Sequence, residues 1–464
     1  MGSKWERITV ADVCTSIVDC VNKTAPVVEY PTNYKMIRTP NIRSGKVTLD
    51  GCRFVEKEVY ETWTRRSKPQ KGDVLLTREA PLGEVGIITT DENIFLGQRI
   101  MQYRADKNKI DPYFLLYSFL SPDLQQQFSM HEGSGSVVSH IRVGDCSKFE
   151  INLPPLEIQK SIVKTLKCLD DRIEINTKIS QTLEQMSQAL FKSWFVDFDP
   201  VVDNALDAGN PIPEALQSRA ELRQKVRNST DFKPLPAEIR SLFPSEFEET
   251  ELGWVPKGWN ISLAGEEFIV KGGSTPSTAN EDFWINGTIH WTSPKDLTGN
   301  QSKVLLDTAK KITPLGLTKI SSGLLPVNTV LMSSRAPIGY LAISKVPMAI
   351  NQGYIAIPSA KHLSSEYTIY WLDNIMDDIK GMAGGTTFAE ISKSAFKTIK
   401  LLIPSSDIIT EFSRITRNHF DKVVQNTKEI DSLTALRDTL LPKLISGELS
   451  LEDLPDLNTD TEAA

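Results

Sequence analysis

The chain has 464 residues, of which 40% are hydrophobic and 24% are charged, as is ordinary for a globular protein. This length predicts about two to four domains. The sequence has neither an apolar run long enough to cross a bilayer nor the apolar amino-terminal stretch of a signal peptide, so we expect a cytoplasmic protein. Its five cysteines are odd in number and form no CxxC pair, which argues against a disulfide framework or a zinc site.

The net charge of −7 has the wrong sign for a typical DNA-binding protein, but the acidic residues are unevenly distributed. Residues 1–155 and 255–404 carry net charges of +1 and +3, whereas residues 196–254 and 405–464 each carry −6. The two large globular parts are therefore neutral to mildly basic, which permits nucleic-acid binding without demanding it.

The second half of the sequence repeats the first at a shift of about 250 residues. Trp5 is matched by Trp259, and residues 37–42 resemble residues 291–296. The clearest repeat is DVLLTREAPLG at residues 73–83 with TVLMSSRAPIG at residues 329–339, each predicting a buried strand, a polar stretch and an Ala-Pro-x-Gly turn. Together with a fourth block, residues 135–154 and 385–404, the order of these matches predicts a duplicated domain.

A long helix is predicted after each repeated domain. Residues 156–199 lack Gly and Pro, and apolar residues recur there at heptad spacing. About 40 helical residues span about 60 Å, which suits a spacer. We expect the two helices to pair antiparallel about a pseudo-two-fold axis; the alternative is that each packs only on its own domain. The predicted seam residues are Ile162, Leu166, Leu169, Ile173, Asn176, Leu183 and Leu190 in the first helix, and Val423, Asn426, Ile430, Leu433 and Leu440 in the second.

Three polar features of the helical regions have simple structural interpretations. Asn176 and Asn426 fall at the same seam position, where a buried asparagine specifies register. His419 is interpreted as a seam or surface residue rather than a metal ligand. Residues 198–254, rich in Pro, Asp and Glu, predict a connecting arm with local helix, and their basic run at residues 219–227 is interpreted as a solvated helix face.

Motifs of catalysis are not found in the sequence. There is no GxxxxGK[ST] phosphate loop, HExxH metal motif or GxSxG nucleophile elbow. The nearest approach to the Asn/Asp-Pro-Pro-aromatic motif of amino-methyltransferases begins at Asp111-Pro112 and lacks the second proline. We interpret it as a helix start with proline at the first position, and we expect no active site and no metal site in this chain.

Four segments resemble the specificity subunits of type I restriction–modification systems. They are LPPLEIQ at residues 153–159, ALFKSWFVDFDP at 189–200, ELGWVPKGW at 251–259 and LLPKLISGEL at 440–449. One departure is the second junction, residues 402–407, which lacks the second proline and the Glu-Gln pair. The resemblance implies a mixed α/β (α+β) fold with two similar target-recognition domains separated by two long conserved helices in an antiparallel coiled coil. The implied segments are recognition domain 1 (1–155), the first spacer helix (156–197), an acidic linker arm (198–254), recognition domain 2 (255–404), the second spacer helix (405–447) and an acidic tail (448–464).

The resemblance also implies a function in DNA recognition. Each domain is expected to read one half of a bipartite double-stranded DNA target, while the helices set the gap and dock two methyltransferase (modification) subunits. Half-sites about 34 Å apart, one DNA turn, suit such a spacer. Adenine methylation with S-adenosylmethionine is expected to belong to the methyltransferase subunits, and ATP with Mg to restriction subunits. This chain is then expected to hold no cofactor.

Candidate DNA-contacting residues are polar positions that occur in loops of both halves and differ in identity. The first choice is the turn after the buried strand, the second the block before each long helix, and the third the end of the apolar strand that follows the turn, with a separate basic cluster for phosphates. In that order they are Thr77, Arg78 and Glu79 with Ser333, Ser334 and Arg335; Ser134, Ser136, Ser139, His140 and Arg142 with Thr386, Thr387, Glu390 and Lys393; Gln98 and Arg99 with Gln352; and Arg65, Arg66 and Lys68.

Three other functions remain open from the sequence. The chain could serve a fused or atypical modification enzyme, or be a coiled-coil scaffold that joins protein partners without DNA. It could also be an enzyme, which predicts turnover by the isolated chain. Co-purification with a methyltransferase that modifies only a split target separates the specificity subunit from the scaffold.

Overall fold

The computed structural model describes residues 5–451 apart from 132–139, 231, 301, 336 and 385–388. The chain divides into two compact units: unit 1 comprises Met1–Glu174 and Ile430–Ala464, and unit 2 comprises Ile175–Glu429. These boundaries fall inside the two long helices rather than at the predicted ends of the recognition domains. Each unit therefore combines one repeated domain with a part of each long helix.

The first half of the chain alternates short strands with short helices and ends in a long helix. Its strands are β1 (Glu6–Thr9), β2 (Cys14–Asp19), β3 (Tyr34–Ile37), β4 (Ile42–Arg43), β5 (Gly45–Val47), β6 (Arg53–Phe54), β7 (Val74–Thr77), β8 (Val85–Ile87), β9 (Asn93–Leu96), β10 (Ile100–Ala105) and β11 (Glu150–Leu153). Its helices are α1 (Val10–Val13), α2 (Lys57–Trp63), α3 (Pro112–Leu120), α4 (Pro122–Ser129) and α5 (Leu156–Phe195).

The second half begins with helices and then repeats the same alternation. Its strands are β12 (Phe247–Thr250), β13 (Gly253–Pro256), β14 (Asn260–Leu263), β15 (Phe268–Lys271), β16 (Ile289–Thr292), β17 (Val304–Leu305), β18 (Lys310–Ile312), β19 (Val330–Ser333), β20 (Leu341–Ser344), β21 (Met348–Ile350), β22 (Tyr354–Ala360) and β23 (Lys400–Ile403). Its helices are α6 (Asp199–Ala208), α7 (Gln217–Arg227), α8 (Ala237–Arg240), α9 (Ala264–Glu267), α10 (Pro314–Leu317), α11 (Ser365–Asn374), α12 (Met376–Gly381), α13 (Lys393–Lys397) and α14 (Ser406–Ser446).

The sheets of the two units have the same topology, which confirms the duplication. The order β2-β10-β7-β8-β5 in unit 1, extended by β4, corresponds to β15-β22-β19-β20-β17 in unit 2. The smaller sheets β6-β3-β9 and β18-β16-β21 correspond, as do the pairs β1-β11 and β14-β23. The parallel pairings also match, because β3 with β9 and β16 with β21 are both parallel.

Apolar side chains explain why each sheet is covered by a helix. The centre of α3 is buried, and its first turn is capped by Asp111, whose carboxylate accepts from the N–H of Tyr113 at 2.8 Å. Pro112 is the first helical residue, as predicted. In unit 2, Ser364 caps α11 by accepting from the N–H of Tyr367 at 3.0 Å. Each cap fixes the start of the helix that packs on the main sheet.

The long helices pack together antiparallel within each unit. In unit 1, Ile162 and Leu166 near the start of α5 share a core with Leu440 and Leu444 near the end of α14. In unit 2, residues near the end of α5 share a core with residues near the start of α14, such as Phe412. The helices also pack on the domain cores, so pairing and packing on a domain occur together. The predicted seam residues are all buried or half-buried.

The segment at residues 198–254 was predicted to be a linker arm, but it is part of the folded core of unit 2. Phe243 is 4% exposed and packs against Trp194 with ring centroids 5.0 Å apart. The basic run in α7 is not a solvated face either, because its arginines form ion pairs with aspartates of α6. Arg219 makes two hydrogen bonds of 2.7 Å to Asp199, and the next two pairs are Arg223 with Asp203 and Arg227 with Asp207.

Candidate nucleic-acid interface

The Ala-Pro-x-Gly turn is held in each unit by one buried hydroxyl. Thr77 and Ser333 are both 0% exposed. The Thr77 hydroxyl donates to the carbonyl of Pro81 at 2.6 Å and accepts from the N–H of Glu84 at 2.9 Å. Ser333 makes the two equivalent bonds in its own turn, each 2.8 Å long. Both hydroxyls are used inside the fold, so we correct the expectation for these two residues and leave them out of the DNA-contacting set.

Backbone hydrogen bonds bring the three predicted loop groups of unit 1 together. The N–H of Arg78 donates to the carbonyl of Arg99 at 2.8 Å, and the carbonyl of Arg78 accepts from the N–H of Ile141 at 3.0 Å. The turn, the start of β10 and the segment around His140 are therefore neighbours at one edge of the main sheet. Residues that were predicted from three separate parts of the sequence therefore lie together at this edge of the sheet.

The same backbone arrangement occurs in unit 2. The N–H of Ser334 donates to the carbonyl of Gly353 at 2.8 Å, and its carbonyl accepts from the N–H of Ile391 at 3.1 Å. Ser334 is therefore the counterpart of Arg78, as the alignment of residues 73–83 with residues 329–339 predicts.

The Arg78 side chain points mostly into unit 1. It is 11% exposed and forms an ion pair with Asp19, its Nη2 lying 3.4 Å from Oδ1. Its Nη1 also donates to the carbonyl of Ile141 at 3.1 Å. Since these contacts fix the position of the guanidinium, Arg78 supports the site from beneath its surface. No local sequence pattern marks Asp19, which pairs with Arg78 across the sheet.

Charged groups of opposite sign lie on the surface of this edge in unit 1. Arg99 is paired with Glu79 at 2.9 Å, and its side chain is 48% exposed. Its backbone has a φ of 73°, a left-handed conformation that is uncommon for residues other than glycine and is held here by the bond to Arg78. Gln98 is half-buried beside it. Arg142 is exposed and His140 is half-buried.

The corresponding surface of unit 2 has different side chains. Arg335 lies 3.9 Å from Glu390, and its side chain is 37% exposed. Gln352 is exposed, and its side-chain carbonyl oxygen accepts a hydrogen bond from the Thr275 hydroxyl at 2.7 Å. Lys393 is exposed at the start of α13. The five further candidates Ser134, Ser136, Ser139, Thr386 and Thr387 lie outside the described residues.

The basic cluster lies next to the same edge of unit 1. Arg65, Arg66 and Lys68 are all exposed. Arg66 borders a small depression together with Asp19, the partner of Arg78. Mobile cations on a surface are suited to phosphate contacts. This cluster of exposed cations therefore lies beside the polar site.

Within the described part of the chain, no group of three or more His, Cys, Asp or Glu side chains could hold a metal ion. Burial raises the pKa of Cys14 to about 12 and that of Cys146 to about 11, so these thiols stay neutral and are poor nucleophiles. Among the described residues, no helix is both long and apolar enough to traverse a lipid bilayer.

Comparison with known proteins identifies relatives of the whole chain. Residues 2–185 and 256–434 each match the family described as type I restriction modification DNA specificity domain. The HindI specificity subunit of a type I restriction enzyme from Haemophilus influenzae is 29% identical, over 96% of this chain and 100% of its own. The MjaIX specificity subunit from Methanocaldococcus jannaschii is 33% identical over 41% of this chain and 44% of its own.

A solved structure shows a similar fold. The S subunit of a type I restriction-modification system from M. genitalium aligns with a TM-score of 0.55 and 17% identity, covering 96% of each chain. At this identity the likeness concerns the fold, including the repeated domains and the long helices.

Proposed function

The chain belongs to the family of type I restriction–modification DNA specificity proteins, and from this premise we propose that each of its two units reads one half of a split DNA target. Recognition of a DNA target is the role of this family. The finer division of labour between the units, and the residues that carry it, are our proposals. The chain then supplies sequence selectivity and leaves the chemistry to its partner subunits.

One observation supports this division most strongly. The two units place polar side chains at the equivalent edge of equivalent sheets, on the same backbone framework. Gln98 and Gln352 are the same residue at equivalent positions, but other side chains of the edge differ. Arg99 of unit 1 corresponds to Gly353 of unit 2, and Glu79 corresponds to Arg335. A duplicated scaffold that needed both edges for its own stability has no reason to vary them in this way. Two readers of different base sequences require such variation.

The proposed contact set follows from exposure and chemistry. Arginine, lysine, glutamine and glutamate can pair with base edges, and flexible cations can bind phosphate oxygens. Arg78 stays in the set as a supporting residue. The exposed or half-buried contact residues are Arg65, Arg66, Lys68, Glu79, Gln98, Arg99, His140 and Arg142 in unit 1, and Arg335, Gln352, Glu390 and Lys393 in unit 2.

The long helices are proposed to set the spacing of the half-sites and to dock two methyltransferase subunits. On the part of α5 that belongs to unit 2, Ile175, Ile179 and Met186 are 49%, 37% and 52% exposed. Their spacing places them on a similar face of the helix, and exposed apolar surface often marks an interaction site. S-adenosylmethionine is proposed to bind those subunits, and ATP with Mg the restriction subunits.

We further propose that the chain acts in the cytoplasm, without a catalytic step of its own. All five cysteines are free thiols, as is usual in a reducing compartment. The neutral buried thiols agree with a binding function.

Co-expression with a type I methyltransferase subunit tests the proposal. We expect the two to co-purify and the complex to methylate adenines only within a two-part target, as mapped by sequencing of modified bases in a host with and without this gene. A chain that binds a partner but directs no sequence-specific modification would instead favour the protein scaffold. Turnover by the isolated chain would favour an enzyme.

A further inference from the structure

Unit 2 contains a cavity of about 630 Å³ at its candidate DNA-contacting edge. This volume lies within the range of about 300–1,000 Å³ that is usual for ligand pockets. Its lining includes the polar residues Ser334, Gln352, Glu390 and Lys393 together with Tyr354 and Ile391. The cavity therefore opens among the residues proposed to contact DNA.

Strand register identifies what occupies the same place in unit 1. Val18 pairs with Gln102 on β10, and Lys271 pairs with Ala356 on β22, the counterpart of β10. The next residue in each strand is Asp19 in unit 1 and Gly272 in unit 2.

Two substitutions therefore distinguish the units at one place. Arg78 and Asp19 form an ion pair of 3.4 Å in unit 1, whereas the equivalent positions in unit 2 are Ser334 and Gly272. Both unit 2 residues line the cavity. The positions that a serine and a glycine occupy beside the cavity of unit 2 are thus occupied in unit 1 by the larger side chains of an arginine and an aspartate.

The chemistry of the rim suits the edge of a purine base. Lys393 has an ammonium group, Gln352 a side-chain amide and Ser334 a hydroxyl, and Glu390 adds a carboxylate to the same lining. The donors match N7, the acceptor that both purines present in the major groove, and the carboxylate can accept from the N6 amino group of adenine.

We propose that the cavity of unit 2 receives one purine of its half-site, and that the Arg78–Asp19 pair closes the equivalent place in unit 1. Unit 1 then reads bases only with side chains at its surface, whereas unit 2 admits a base edge between its strands. This inference rests on the proposed function and names the residues that determine specificity in unit 2.

The backbone of unit 2 can accept the test substitutions. A Cβ at Gly272 would lie 2.8 Å from Nζ of Lys393, the far end of a flexible side chain that can move. A Cβ at Gly273 would instead lie 1.8 Å from the backbone carbonyl oxygen of Ile350, so that glycine must be kept. The double variant Gly272→Asp/Ser334→Arg therefore closes the cavity with the ion pair of unit 1.

The experiment measures binding of the methyltransferase complex to its mapped target and to duplexes in which each purine is replaced by its 7-deaza analogue. For the natural chain, we expect one analogue in the unit 2 half-site to weaken binding by roughly ten-fold. The Gly272→Asp/Ser334→Arg complex should lose that sensitivity and bind the unit 2 half-site at least roughly ten-fold more weakly, with unchanged preference at the unit 1 half-site.

The reciprocal variant Asp19→Gly/Arg78→Ser should alter preference only at the unit 1 half-site, and Lys257→Gln, at an exposed residue outside the contact set, should alter neither. If the double variant does not assemble, Lys393→Ala at the exposed rim gives the same readout. Unchanged preference of the cavity variants on a confirmed two-part target would overturn the cavity proposal alone. Absence of a two-part target for the natural complex would overturn the proposed function.

Discussion

The side-chain amide of Asn426 donates a hydrogen bond to the backbone carbonyl of Asn176 at 3.3 Å, joining the two long helices within unit 2. It also donates to the hydroxyl of Ser180 at 3.1 Å. Asn176 and Asn426 are 1% and 0% exposed, and their positions are equivalent in the repeat. Two buried asparagines thus meet at the seam where the heptad pattern placed them.

Replacing both asparagines by leucine should stabilise the helix pair. Nδ2 of Asn176 and Oδ1 of Asn426 have no hydrogen-bond partner among the described residues, and an unsatisfied buried polar atom costs about 1–3 kcal/mol. We expect Asn176→Leu/Asn426→Leu to raise the free energy of unfolding in urea by an amount in that range. Gln185→Leu, at an exposed position of α5, is the control and should change it little. A clear loss of stability in the double variant would show that the amides contribute more than they cost.

Removing the turn hydroxyls should destabilise each unit without directly changing base preference. Thr77→Val leaves the carbonyl of Pro81 and the N–H of Glu84 without their partner, which should lower the free energy of unfolding by about 1–3 kcal/mol. Ser333→Ala should do the same in unit 2, while Thr77→Ser, which keeps the hydroxyl, should retain most of the stability. Unfolding in denaturant measures the free energy of unfolding, and DNA binding by the folded protein measures the base preference. Altered base preference with full stability would return these residues to the DNA-contacting set.

The carboxylate of Asp199 should matter for the stability of unit 2. It is 6% exposed as a side chain and accepts two bonds from Arg219 and one from Ser193 at 2.8 Å. Removing one partner of a buried ion pair lowers the free energy of unfolding by about 3–5 kcal/mol. Because Arg219 is partly exposed, we expect Asp199→Ala to lower it by an amount near the smaller of these values. Glu221→Ala, an exposed acidic residue of α7, serves as the control. Equal urea midpoints for both variants would contradict a stabilising role for the Asp–Arg pairs.

Stability should fall as the solution becomes mildly acidic, because of one histidine at the helix seam. Burial lowers the pKa of His419 below its ordinary value of 6.5, and Nδ1 lies 2.7 Å from the hydroxyl of Ser187. Below pH 6.5 the unfolded chain takes up a proton that the folded chain resists, so stability present above pH 6.5 is lost as the pH falls toward the lower folded-state pKa. Unfolding in urea between pH 8 and 5 should show a smaller decline for His419→Gln. Identical slopes for both chains would exclude this histidine as a cause.

The fold was largely predictable because it depends on patterns that survive in the sequence. Repeated blocks revealed the duplication, and heptad spacing found Ile162 and Leu440 at the seam. The site was less predictable, because it depends on which way individual side chains point. Thr77 looked like a loop hydroxyl, but its strand register makes it internal. The Arg78–Asp19 pair joins residues 59 positions apart, and no local pattern marks it. The composition of residues 198–254 predicted a linker. The segment is folded because its aspartates pair with arginines 20 residues further along the chain, and no local pattern in the sequence shows this pairing.

The central claim is that two equivalent units each read one half of the target, and a chain with the same unit twice tests it most directly. Residues 259–404 are replaced by a second copy of residues 5–154, whose ends are equivalent by the repeat, and the chain is co-expressed with the methyltransferase subunit. Modified adenines are then mapped beside those of the natural complex. We predict a symmetrical target in which the unit 1 half-site occurs twice. Retention of the original asymmetric target by the assembled complex would contradict the claim.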